Sequence, residues 1–136
     1  MSLNAAAARA PFALRPVAFP LPALAATAAR APLGGPREIA LSCLLVGRLV
    51  IDAREASAPL TADQRRARAQ DAKHWLASAT LPAPVRVALV RLAESTGTDQ
   101  AGVITSAMDS VTTVTANHLD VAARSEWARL AQTLAE

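Results

Sequence analysis

The sequence predicts an all-α fold: a compact bundle of four to five helices over residues 36–136, preceded by an extended Pro/Ala-rich N-terminal arm over residues 1–35. Three observations lead there. Alanine fills 34 of the 136 positions and Tyr is absent, and an Ala/Leu/Val interior suits closely packed helices better than sheets, which draw on Tyr, Phe and Thr. Six of the nine prolines, at 11, 16, 20, 22, 32 and 36, gather at the N-terminal end, and the run Gly34-Gly35-Pro36 closes that segment. Charge divides at the same place: residues 1–37 hold Arg9, Arg15, Arg30 and Arg37 and no acid, whereas residues 38–136 carry ten basic against eleven acidic residues. The net charge of +3 therefore belongs to the arm, and the body is close to neutral.

From Pro11 to Leu24 (PFALRPVAFPLPAL) a proline recurs every two to five residues. Each removes a backbone donor and biases its predecessor away from helix, so the stretch reads as extended. Between the prolines stand Phe12, Leu14, Val17, Phe19, Leu21 and Leu24, more apolar surface than a solvated linker carries. These six are the predicted partner-binding residues, side chains of a strap that fill pockets on another protein. Ala-rich pieces at Ser2 to Ala10 and Ala23 to Ala31 have the composition of short helices, the second stopped by Pro32 and the Gly pair. An acid-free, Arg-bearing segment also fits an organelle presequence, although Ser is scarce and the prolines break an amphipathic helix. An unstructured tail is the third reading.

In the body, Pro36 suits the first position of a helix and no proline follows until Pro59, so a helix spans Arg37 to Ala56. Its apolar residues between Ile39 and Ile51 cover nearly the whole circumference, which predicts a central helix packed on several sides. That run, interrupted by Arg48, is well short of the ~20 apolar residues a bilayer-spanning helix needs, and no transmembrane segment is expected. Arg48 and Asp52, four apart, are spaced to pair along one face. Thr61 is a good N-cap with Asp63 in the first turn. The helix behind it, about Ala62 to Ala79, sets Arg65, Arg66, Arg68, Asp71 and Lys73 against Ala69, Ala72, Trp75 and Leu76, and reads as a surface helix. Its basic triplet is either solvated or turned toward phosphates or an acidic partner.

Leu81-Pro82-Ala83-Pro84 makes a rigid corner, and Val85 to Ser95 forms a third helix ending at Gly97. Thr98 caps a fourth, with Val103, Ile104, Ala107, Met108, Val111 and Thr115 at helical spacing. A fifth, from about Leu119, carries Ala123, Trp127, Leu130 and Leu134 on one stripe. Nothing between residues 99 and 135 is a strong breaker, so one long rod is an alternative; a bend near Asn117 to Asp120 is favoured, because Asn ends helices and Asp begins them. Between residues 99 and 119 the charges are Asp99 and Asp109 alone, and Ser and Thr supply the polarity. Either the outer face of this helix is prepared for protein contact, where uncharged hydroxyls are desolvated at lower cost than charges, or the helix is internal to the bundle.

Chemistry is sparse. His74 has Asp71 three residues before it and His118 has Asp120 two after, but a carboxylate-bridged dimetal site needs the acid–His pattern twice plus two further glutamates. No metal or other cofactor and no catalytic residue is predicted: no motif sets a Ser or Thr beside a base, and the chain reads as a non-enzyme. The single cysteine, Cys43, lies in an apolar run as a small buried hydrophobe, which suits a reducing compartment.

Residues 81–108 (LPAPVRVALVRLAESTGTDQAGVITSAM) are similar to the helical part of ribbon-helix-helix DNA-binding proteins in the Leu-Pro corner, Leu92-Ala93-Glu94 followed by Thr96-Gly97, and a second helix with Val103, Ile104 and Ala107. The resemblance implies a DNA-binding dimer built on about residues 75–110. The residues before Leu81 would form a strand paired across the dimer, Ser78 and Thr80 would enter the major groove, and the backbone at Thr98 to Gln100 would meet phosphate. Residues 75–80 (WLASAT) lack Arg and Lys, however, and the body has no positive excess, whereas DNA binding rests on phosphate neutralisation. The function expected first is therefore a non-catalytic structural or accessory subunit that docks into a larger assembly through its arm and weakly charged helical faces. Its partners are then other protein subunits rather than nucleic acid. The DNA-binding dimer and an organelle-imported small helical protein are the alternatives.

Overall fold

The structure, a computed structural model, describes residues 21–30, 35–55, 60–97 and 100–135. These residues form six helices and no strand: α1 (Pro22–Arg30), α2 (Pro36–Glu55), α3 (Ala62–Ser78), α4 (Ala83–Ser95), α5 (Ala101–Thr115) and α6 (Val121–Ala135). The fold is all-α, as the composition predicts, with six helices where four to five are expected. The additional one, α1, lies inside the segment assigned to the extended arm; residues 1–20 of that arm lie outside the described residues.

The helix α2 is the centre. It packs against α1, α3 and α4, and Ile39, Ala40, Cys43, Val46, Val50 and Ile51 are almost completely buried. A broad apolar surface is thus matched by neighbours on several sides, with Leu41 exposed and Leu44 and Leu45 half-buried. Gly47 brings α2 close to a fifth element: a Cβ there would lie 3.1 Å from Leu21 Cδ1 and 3.1 Å from Cζ3 of Trp127 on α6. The absent side chain lets the edge of the indole approach the α2 backbone closely.

Capping explains most boundaries. Thr61 and Gln64 form a reciprocal capping box, with Gln64 N donating to Thr61 Oγ1 at 3.1 Å and Thr61 N to Gln64 Oε1 at 2.9 Å. Pro82 and Ala83-Pro84 open α4, where missing N–H groups cost nothing. The bend expected near Asn117 to Asp120 is present: α5 stops at Thr115, and Asp120 caps α6 by accepting from Ala123 N at 2.8 Å. By contrast α5 begins at Ala101 behind Gln100 rather than directly behind Thr98, which lies outside the described residues.

The strand implied by the ribbon-helix-helix resemblance is not formed. Trp75 to Ser78 complete α3; Ser78 Oγ donates to Trp75 O at 3.0 Å and Thr80 N to Glu38 Oε2 at 3.4 Å. The residues meant for a groove thus bond to this chain's own helices. Ala69, Ala72 and Leu76 of α3 are buried against its neighbours, and that apolar stripe keeps the segment helical.

Asp120 also ties the two ends of the fold together. Besides Ala123 N it accepts from Thr27 Oγ1 of α1 at 3.1 Å and lies 3.8 Å from Arg30 Nη2. The Ala123 bond, then Thr27 and Arg30, hold its carboxyl below the usual carboxylate range. A carboxylate whose folded pKa is depressed contributes stability above its unfolded pKa of about 3.9, and loses it as pH falls through the lower folded value. Urea midpoints should therefore fall on acidification below about pH 4 less steeply in Asp120→Asn than in the parent chain; identical slopes would remove Asp120 from this linkage.

Candidate functional site

The predicted partner-binding residues divide. Phe12, Leu14, Val17 and Phe19 lie outside the described residues. Leu21 and Leu24 are buried in this chain's own core, at 6% and 0% exposure, so neither offers its side chain to another protein here. The cause is α1: Pro22 occupies the first helical turn, and the donors left over at that end, Ala23 N and Leu24 N, reach the two carboxylate oxygens of Glu126 on α6 at 2.8 and 3.2 Å. A carboxylate at a helix N-terminus is favoured both by hydrogen bonding and by the helix dipole. Nothing local in the sequence marks Glu126 for this role.

The weakly charged helix, α5, packs between α4 and α6. Its inner face is Ala107, Met108, Val111 and Thr115, all buried, while Gly102, Val103, Ser106, Asp109 and Thr113 are exposed. It is therefore an outer helix, and Asp109 is the charge on its described surface. Most of the hydroxyls along it donate to the preceding turn: Ser110 to Ser106 O at 3.2 Å, Thr112 to Met108 O at 3.0 Å, Thr113 to Asp109 O at 3.0 Å and Thr115 to Val111 O at 2.7 Å. Such back-bonded hydroxyls have spent their donors within the helix. Covering this face with another protein strands few polar hydrogens, which lowers the desolvation cost.

Clefts among the described residues flank the core. Between α2 and α3 a cleft of about 330 Å³ is lined by Leu45, Leu49, Ala72 and Trp75, with Asp52, Arg68 and Asp71 at its polar edge. Arg48 and Asp52, spaced to pair along one face of α2, are both buried, and Asp52 Oδ2 meets Arg68 Nη1 of α3 at 3.9 Å. The basic triplet of α3 is likewise engaged within the chain: Arg65 Nη1 donates to Leu60 O at 3.0 Å, Arg66 pairs with Asp63, and Arg68 reaches Asp52. Contacts within the chain, local for Arg65 and Arg66 and between helices for Arg68, thus engage all three arginines.

The second cleft, of about 260 Å³ between α5 and α6, is lined by Thr112, Thr115, Val121, Arg124, Ser125 and Trp127 among others. Trp127 is 1% exposed, and its indole Nε1 is buried with no hydrogen-bond partner. Leaving a buried donor unpaired costs roughly 1–3 kcal/mol. The edge of the ring opposite the N–H is the one seated on Gly47, so the rigid bicycle holds its donor away from α2.

The titratable candidates do not converge. His74 and His118 are exposed, and among the described residues no three His, Cys, Asp or Glu side chains come together where a metal ion would sit. Cys43 is fully buried and its thiol is pushed up to about 12 by desolvation, which makes it inert. No helix among the described residues is long and apolar enough to cross a membrane. No protein-family model, curated protein or solved structure matches this chain.

Proposed function

We propose that this protein is a non-catalytic structural or accessory subunit that docks into a larger protein assembly, using its N-terminal arm and the weakly charged outer face of α5. The observation that carries the reading is the exposed α5 face, where Val103, Ser106 and Thr113 stand in water with Asp109 as their charged neighbour. A solvated helix face in a lone domain is normally dressed with charges of both signs. Here an uncharged partner surface would meet almost no competing charge. Phe12, Leu14, Val17 and Phe19 in the arm supply a second apolar contact, and the interleaved prolines lower its ordering cost because the backbone is already restricted.

The native mass and the chains that co-purify test this. Wild type should elute in a complex well above the monomer, and Ser106→Lys with Thr113→Lys should return it to the monomer. Exposed helix positions of this kind change stability by no more than about 0.5 kcal/mol, so loss of the complex would not reflect unfolding. Phe12→Ala with Phe19→Ala should also release the subunit, at about 3 kcal/mol per fully buried ring. A wild-type chain that is monomeric at its cellular concentration overturns the reading.

A further inference from the structure

The way α1 is held leaves α6 with an unbalanced outer surface. Between residues 121 and 135 the charged residues are Arg124, Glu126 and Arg129. Glu126 is half-buried and spends its two carboxylate oxygens on Ala23 N and Leu24 N of α1. Asp120, just ahead of the helix, is likewise committed to Thr27 and Arg30 of α1 and to Ala123 N. Arg124 and Arg129 are both exposed, and no ion pair among the described residues engages either guanidinium. The sequence sets an acid between two cations; the fold turns the acid to α1 and leaves the cations in water.

These cations stand beside an uncovered groove. On α6 the α5/α6 cleft is lined by Val121, Arg124, Ser125 and Ala128, which recur at i, i+3, i+4 and i+7 and so form one helical stripe. Arg129 directly follows the last of them. Val121 is 67% exposed, the most open of the large apolar side chains among the described residues. Across the groove, Thr112 of α5 has already turned its hydroxyl hydrogen to Met108 O. No carboxylate of the described residues lines the cleft. Its volume of about 260 Å³ is below the roughly 300–1,000 Å³ of small-molecule pockets, which favours one or two side chains of a protein over a free ligand. A basic occupant would be repelled by both arginines, whereas a carboxylate can take the paired donors of a guanidinium.

We propose that the α5/α6 cleft is the docking groove for an acidic, apolar segment of a partner subunit, whose apolar side chain enters the cleft while its Asp or Glu residues meet Arg124 and Arg129. This rests on the docking reading and deepens it: the partner surface is uncharged where it covers α5 and acidic where it crosses α6.

The test uses the native complex of the full chain. Arg124→Glu with Arg129→Glu should weaken that complex at least about tenfold and flatten its salt dependence, while the urea midpoint of the isolated chain stays in place. A benzophenone attached at Gln132→Cys, an exposed position one turn beyond Ala128, should cross-link a segment of another subunit that carries Asp or Glu; Cys43, buried with a thiol pushed up to about 12, stays unlabelled. Replacing those acids with Arg should restore binding to the Arg124→Glu, Arg129→Glu chain. A wild-type chain that is monomeric removes the docking reading, and this proposal with it. A complex indifferent to both glutamates, or a cross-link to an acid-free segment or to a second copy of this chain, overturns the proposal alone and leaves docking through α5 standing. So does flotation of the chain with phosphatidylserine vesicles without any protein cross-link, which would put an anionic membrane surface at the arginines.

Discussion

Trp127→Ala should lower the free energy of unfolding by about 3–5 kcal/mol, the range for removing a large aromatic from a core that cannot collapse. Trp127 is the largest of the fully buried side chains, and it touches more than its own helix. Its six-membered ring rests on Gly47 of α2, and the residue also lines the α5/α6 cleft. Neither neighbour can move in to fill the space: α2 is held on other sides by α1, α3 and α4, and α5 by α4. Against a total stability of about 5–15 kcal/mol for a domain of this kind, such a loss removes a large share of the folded population. Chemical denaturation of the two chains measures it, and a difference under about 1 kcal/mol would show that the site relaxes instead.

Gly47 supplies a coupled measurement. Adding a methyl there gains about 1 kcal/mol of helix propensity, but in the parent chain the new Cβ would meet the indole and Leu21 at 3.1 Å each. Leu21 can rotate away from that contact, while the indole is rigid. Gly47→Ala should therefore be near neutral or destabilising with Trp127 present and stabilising in the Trp127→Ala background, a non-additivity expected of residues in contact.

Which parts of this architecture were legible depended on the range of the interaction that creates them. The packing of α2 on several sides, the Thr61 cap and the stop between Thr115 and Asp120 are written within a few turns of sequence, and the structure has all three. Contacts that depend on tertiary placement left no such trace. Glu126 caps α1 from 102 to 103 positions away, and Asp52 finds Arg68 across a helix interface. Pro22 stands in the sequence as one more breaker in a proline series, although a proline in the first turn equally begins a helix; what ties it down is Glu126, which local spacing does not reveal. The low charge of α5 was legible and its two readings were not separable, because only packing decides which face meets solvent. The α5/α6 cleft depends on how two helices and one indole are set in space, and no spacing rule announces it.

The position of α1 makes the second large effect an unambiguous one. Leu24→Ala should cost about 3 kcal/mol, within the 2–5 kcal/mol typical of a buried leucine truncated to alanine, because Leu24 is completely buried. The surrounding geometry argues for the middle of that range. α1 is anchored by Glu126 at its start and by Thr27 and Arg30 to Asp120 farther along, and it packs along both α2 and α6. A helix held at several points leaves a cavity when one side chain is removed, because it cannot slide in to close the gap. If residues 21–30 belonged to a detachable strap, truncating Leu24 would weaken docking and leave the isolated chain as stable as before. If they belong to the body, the isolated chain loses stability, and Ala25→Ser, at an exposed position of the same helix, changes it by no more than about 0.5 kcal/mol. Urea denaturation of the three isolated chains separates these cases. An unchanged midpoint for Leu24→Ala would move the boundary of the body back to Pro36.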